Sequence, residues 1–178
     1  KQVAEYRNLV QKRSVDAVVG YISSGSCVAL APVIEELKRL TVFTTCGTPR
    51  IFEEKDRNYI FRTMGHATSD NVAAAHYVMA QFPNLGSYTG INQNYAWGQD
   101  SWRDFDLSLK HLKPSMRAST KLQFPKIFAG QYGTEISAMS LDKSELVHSS
   151  FWGGDLEAFI FQGAARGLFK KKKIVLTV

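Results

Sequence analysis

Strand-like and helix-like patterns alternate along almost the whole chain, and that alternation limits the fold more than any other feature. Short apolar, often β-branched runs are separated by stretches whose apolar residues recur at helical spacing. Residues 1–13 read as a helix with Val3, Tyr6 and Val10 at turn spacing, and residues 15–19 as a buried strand ended by Gly20. A polar loop over residues 20–26 opens a second helix with Ala31, Ile34 and Leu37 on its inner face. Pro32 has no N–H to donate, which calls for a place in that helix's first turns. Residues 41–45 form the next strand, residues 46–58 an irregular polar stretch, and residues 59–63 another strand. The linker-like residues 64–68 are the best boundary between domains, and a helix begins at Ser69 and Asp70 with Val72, Ala75, Met79 and Phe82 inward.

The second half repeats the scheme, with strands at residues 85–91, 116–122, 146–150 and 174–178. The intervening helices cover residues 98–112, 134–141 and 155–168; in the first, Trp102, Phe105, Leu109 and Leu112 share one face, which assigns Trp102 to packing. The run Lys170 to Lys173 reads as a solvated turn between the last helix and the last strand. Strands alternating with helices of this length predict an α/β fold, with parallel sheets and helices on both faces. Ligands of such folds bind beyond the carboxyl ends of the strands, which directs attention to residues 20–26, 46–58, 92–98 and 151–155.

Composition narrows the function classes. The net charge is +6, from 22 basic and 16 acidic residues, but the basic residues are scattered apart from the lysine run, so nucleic acid is not the expected partner. No stretch of 18 apolar residues is present to span a bilayer. Cys27 and Cys46 form no CxxC pair, and His66, His76, His111 and His148 share no ligand spacing, so neither a metal nor another cofactor is expected. Whether the two cysteines pair is left open by their spacing. No GxxxxGK[ST] or GxGxxG motif supports a nucleotide phosphate site.

The loop Gly20-Tyr21-Ile22-Ser23-Ser24-Gly25-Ser26 feeds straight into a helix. Hydroxyls and free N–H groups at a helix N-terminus suit a carboxylate, while plain capping by one serine would explain the same residues. Thr44-Thr45-Cys46-Gly47-Thr48-Pro49 again places small residues where a strand ends; a turn would use them equally well. The loops Tyr95-Ala96-Trp97-Gly98 and Phe151-Trp152-Gly153-Gly154-Asp155 are aromatic, as the walls of small-molecule sites tend to be. Trp97 and Trp152 stand outside the periodic elements, which favours a ligand over the core as their partner.

Together these segments resemble the branched-chain amino acid-type solute-binding proteins of ABC importers, a family with the type I periplasmic-binding-protein fold. The resemblance is carried over the chain's length by Val15-Asp16-Ala17-Val18-Val19-Gly20 with Ser23-Ser24-Gly25, and by Ala31-Pro32-Val33, Tyr59-Ile60-Phe61-Arg62-Thr63 and Tyr95-Ala96-Trp97-Gly98-Gln99. Gly133-Thr134-Glu135-Ile136, Ser149 to Leu156 and Arg166-Gly167-Leu168 continue it. It implies two lobes, with residues 1–63 part of the first and residues 64–178 a nearly whole second, the first lobe's opening strand, helix and strand and its later return lying outside this chain. It implies a periplasmic receptor that binds a small carboxylate, an amino acid or an aromatic acid, in an interlobe cleft and delivers it to an ABC transporter permease. Ser24 maps onto the carboxylate-holding serine, Cys46 and Thr48 onto a backbone contact and a hydroxyl, and Trp97 and Trp152 onto the aromatic cover. Where Cys46 stands the family more often has Ala or Gly, so its backbone rather than its side chain is the expected contact.

Two other readings compete. The same fold could be a ligand-sensing domain, an amide-type regulator or a receptor ectodomain. An α/β enzyme using Ser24 or Cys46 as nucleophile is disfavoured: no G-x-S-x-G elbow is present, and among the histidines only His66 falls in a facing loop. The chain is therefore not expected to be an enzyme.

Overall fold

A computed structural model describes residues 1–178 and divides them into two compact units, Lys1–Ala67 and Thr68–Val178. In the first unit, helix α1 (Gln2–Arg7) runs on as a π-helical turn over Asn8–Lys12, and strand β1 (Ala17–Gly20) leads into helix α2 (Ser24–Leu37). Strand β2 (Leu40–Phe43), the short helix α3 (Arg50–Glu53) and strand β3 (Ile60–Arg62) complete it. The three strands form one parallel sheet in the order β1-β2-β3.

The core of this unit gathers Tyr6, Cys27, Leu30, Ile34, Phe43, Ile51 and Ile60, so α1 and α2 bury one face of the sheet. Tyr6 secures that packing with a 2.8 Å hydrogen bond between its hydroxyl and Thr41 Oγ1. Pro32 sits in the middle of α2, not in its first turns as the missing N–H predicts. The buried apolar face of Leu30, Ala31, Val33 and Ile34 around it holds the helix together across that break.

The second unit opens with helix α4 (Ala67–Gln81), which starts at the boundary residue, two residues before the expected Ser69. Strand β4 (Ser87–Gly90), helix α5 (Ala96–Leu112), strand β5 (Arg117–Ala118) and helix α6 (Gly133–Leu141) follow. Strand β6 (Leu146–Ser149), helices α7 (Gly153–Ala165) and α8 (Leu168–Lys171), and strand β7 (Lys173–Leu176) close the unit. Its parallel sheet has the order β5-β4-β6-β7. Alternate residues of the fully buried β6 enter two separate cores. Leu146 joins Ala75, Val78, Tyr88, Phe105 and Leu109, whereas Val147 joins Ile136, Phe151, Phe159 and Leu168. Both faces of this sheet are thus covered, and the functional edge is left to the loops at the strand ends.

Three local expectations are corrected. Residues 116–122 contribute only the two-residue β5, because after Ser119 N bonds Tyr88 O the chain bends at Thr120, and pairing resumes only as a single bridge between Ile91 and Gln123. Val72 is 38% exposed while Asn71 is buried, since the inner face of α4 begins with a polar contact that a hydrophobic pattern cannot register. The lysine run is not a turn: Lys170 and Lys171 end α8, Lys173 begins β7, and the Lys172 ammonium donates to the carbonyls of Asp142 and Ser144.

Candidate functional site

In the first unit, β1 ends at Gly20, whose φ of 147° only glycine adopts readily, and Tyr21 follows in the left-handed region at φ 69°. That sharp exit sets Ser23 at the amino end of α2, where its side chain makes no capping bond. The first intrahelical bond runs from Cys27 N to Ser23 O, so the N–H groups of Ser24, Gly25 and Ser26 have no acceptor within the helix. The positive end of the helix dipole adds to their pull on an anion. Serine capping, the simpler explanation of this loop, is not what Ser23 does.

Ser24, Cys46 and Thr48 are brought together. Ser24 is 2% exposed, and its Oγ accepts a 3.3 Å hydrogen bond from Thr48 N, which pins the loop after β2 to the start of α2. Cys46 is bonded to Cys27, a second tie between the same segments. Thr48 Oγ1 in turn accepts from Arg50 N at 3.3 Å, at the head of α3. Ser24 and Thr48 therefore form an under-layer, and the outer surface of these loops presents Gly25, Thr44 and Thr45. Cleavage of the Cys27–Cys46 bond by a thiol reductant is expected to lower stability by about 3 kcal/mol, read from the denaturation midpoint with and without reductant.

Sequence reasoning missed Arg62 as a site residue, although it lies in a quoted segment. From the end of β3 its Nη1 donates to Thr48 O at 2.7 Å and to Cys46 O at 3.2 Å. The guanidinium stands 5.2 Å from the centre of the Phe52 ring, and burial lowers its pKa from the usual arginine range. It stays cationic and places a positive charge directly beneath the loop that holds Thr48. Of the Cys46 backbone, where a ligand contact is expected, the carbonyl is engaged by this arginine.

In the second unit Trp97 lies not in a loop, as its sequence position suggests, but in the first turn of α5 and is buried, while Trp152 stands in the loop at the amino end of α7. Trp97 is 7% exposed and donates its indole N–H to Ser150 O at 2.9 Å, so it bolts the loop after β6 onto the start of α5. Trp152 is half-buried and donates to the Tyr95 hydroxyl at 2.8 Å. Burial pushes the Tyr95 phenol up to about 12, with the Trp152 N–H pulling the other way and Asp155 adding to the rise. Tyr95 is thus protonated at neutral pH and keeps a proton to donate. The Phe128 ring meets the Trp152 indole edge to face, with centroids 5.7 Å apart.

Beneath this aromatic surface runs a buried polar network. Asn92 Oδ1 accepts from Ser150 N at 2.8 Å and from Ser150 Oγ at 2.7 Å, while Gln93 Nε2 donates to Asp155 at 2.6 Å. The same Asp155 carboxylate accepts the backbone N–H of Phe128 at 2.8 Å, in the first turn of α7 where the helix dipole favours a negative charge. The run Asn92-Gln93-Asn94 directly after a strand is the available signal for this network, which the aromatic residues of the same loop overshadow.

Three surface concavities of about 510, 450 and 490 Å³ are lined by other residues, among them Arg117 and Asp142, Tyr77 and Ile174, and Pro32 and Glu35. None includes Ser24, Thr48, Trp97 or Trp152, so the case for a site rests on the strand-end loops themselves. No group of His, Cys, Asp and Glu side chains is arranged to hold a metal ion. No helix is long and apolar enough to cross a membrane.

Comparisons with known proteins follow the same lines. The family model described as "Periplasmic binding protein" matches residues 1–178. No curated protein matches the chain by sequence. Among solved structures, a solute-binding protein of an ABC transporter from R. palustris in complex with 4-hydroxybenzoate superposes with a TM-score of 0.85 at 20% identity, covering 98% of this chain and 46% of that one. A periplasmic binding protein from Burkholderia mallei gives 0.88 at 16% identity, over 97% and 45%. A leucine-binding protein from Thermotoga maritima gives 0.81 at 16% identity, over 98% and 47%. These likenesses show the fold, and the chain spans about half the length of the structures it matches.

Proposed function

The chain belongs to the periplasmic binding protein family, and from that premise we propose that it is part of a periplasmic receptor that binds a small carboxylate for an ABC importer. The observation that carries this reading is the amino end of α2. There the uncapped N–H groups, the Ser24–Thr48 bond and the Arg62 guanidinium converge on adjacent segments. Backbone donors and a fixed cation at adjacent segments fit an anionic oxygen, with Glu53 the acid that acts on the Arg62 charge. Within the second unit, Trp152 and Tyr95 form an aromatic surface of the kind that lines small-molecule sites.

Binding rather than turnover fits the chemistry of the two candidate nucleophiles. The Ser24 hydroxyl accepts an amide N–H, and Cys46 is tied up in a disulfide. Neither is paired with a base that would activate it. The 4-hydroxybenzoate of the R. palustris protein and the leucine of the T. maritima protein are the carboxylates to try first. A transporter permease is the partner this reading calls for.

Isothermal titration against 4-hydroxybenzoate and leucine tests the proposal. Wild type should bind at least one of them, and Ser24→Ala should weaken that binding by about 10- to 100-fold, the loss of one hydrogen bond at a charged group. Absence of binding to any small carboxylate, or an undiminished affinity in Ser24→Ala, would count against it.

A further inference from the structure

We propose that Phe128 is a specificity-determining residue that selects a planar aromatic acid over an aliphatic one, an inference that rests on the carboxylate-receptor reading above. Phe128 is the third residue of a turn closed by Ala129 N donating to Lys126 O at 3.2 Å. Its backbone lies in the left-handed region at φ 61°, where glycine or asparagine would sit at less cost. Its side chain is 70% exposed, so burial in a core does not account for a large apolar residue in that conformation. Two further contacts hold it there. Asp155, itself 2% exposed, accepts the Phe128 N–H at 2.8 Å on the same Oδ2 that takes Gln93 Nε2 at 2.6 Å. The Trp152 indole supports the ring edge to face.

A left-handed backbone at a phenylalanine, held by its N–H to a buried carboxylate, and an aromatic ring left in solvent are hard to reconcile with stability alone. They make sense if the ring is kept in place for something that arrives. Trp152 is anchored through its N–H to Tyr95, so Phe128, Trp152 and Tyr95 make one continuous aromatic surface at the carboxyl edge of the sheet. Ring faces and edges of this kind reward a flat π-system more than a branched alkyl group.

The test is isothermal titration of the full chain with 4-hydroxybenzoate and with leucine, together with thermal unfolding. Phe128→Ala and Phe128→Gly should weaken 4-hydroxybenzoate binding by about tenfold, and any leucine binding by less than about twofold. Phe128→Tyr should retain the wild-type affinity for the aromatic acid. Glycine suits the left-handed backbone, so Phe128→Gly should unfold at or above the wild-type temperature while it binds less well, an opposition that a structural role would not produce. Unchanged 4-hydroxybenzoate affinity in Phe128→Ala overturns the inference alone, as does a wild type that binds leucine but not 4-hydroxybenzoate. A wild type that binds no small carboxylate overturns the receptor reading and the inference with it.

Discussion

Gly98→Ala is expected to destabilise the second unit by about 3 kcal/mol, the upper end of the cost seen when a well-packed interior is forced apart. Gly98 lies in the first turn of α5, and a Cβ built there would stand 2.0 Å from Gln93 O and 2.8 Å from Gln93 N. Those are backbone atoms, so no side-chain rotation relieves the overlap. The loop cannot retreat freely either. Gln93 is buried, its side chain is bonded to Asp155, and its carbonyl accepts from Tyr95 N at 2.8 Å. On either side Asn92 N and Asn94 N are held by Gln123 O and Pro125 O. Moving Gln93 therefore disturbs the base of the aromatic surface as well as the helix. Urea titration should show a lower midpoint with an unchanged slope. Gly25→Ala is the contrasting control, since its Cβ would meet only Ser23 Oγ at 3.9 Å, and it should shift stability by less than about 0.5 kcal/mol.

The elements that could be read from sequence are those whose burial follows a simple period. Trp102, Phe105 and Leu109 fall on the inner face of α5 as their spacing predicts, and Trp102 is a core residue. The order of strands and helices, and hence the α/β fold with parallel sheets, follows from the same periodicity. Where polar residues are buried the pattern fails, because hydrophobicity records only apolar partners. Asn71 displaces Val72 from the inner face of α4 for that reason, and Thr177 and His148 join it in a buried cluster. In the candidate site, loop position singles out the segments after β1 and β2, and the family resemblance names Ser24, Cys46 and Thr48 within them, which do meet. That Ser24 and Thr48 bond to one another beneath an outer layer of Gly25, Thr44 and Thr45 is a matter of side-chain direction, which loop position does not encode. Phe128 was illegible for a different reason. It belongs to no periodic element, and its positive φ leaves no mark on a residue type that seldom adopts one.

Acidification from pH 7 to pH 5 should cost the protein about 2 kcal/mol through His148 alone, and His148→Gln should remove that part of the pH dependence. His148 lies on β6, fully buried and stacked on Phe105 at 4.3 Å. Burial depresses its pKa to about 3, well below the 6.5 of an exposed imidazole. The surrounding hydrogen bonds require the neutral ring as well. Asn92 Oδ1 is committed to Ser150, which turns Nδ2 of the same amide toward His148 Nδ1 at 3.4 Å, so Nδ1 must offer a lone pair. His148 Nε2 then carries the hydrogen and donates to Asn71 Oδ1 at 2.7 Å. A proton on Nδ1 would face a second donor with no room for water between them. Because the folded pKa lies below the unfolded value, the unfolded chain takes up the proton first. Stability is therefore complete above about pH 6.5 and falls as pH drops through that value, levelling only near the folded pKa of about 3. Asp142, whose carboxyl is held below its ordinary range by bonds from Ser144 and Ser119 and by Lys172, also loses its contribution in acid. The difference between wild type and His148→Gln at each pH separates the two. A parallel pair of stability curves between pH 7 and pH 5 would refute the assignment, whereas convergence toward pH 5 would place the acid sensitivity of this unit on one buried imidazole.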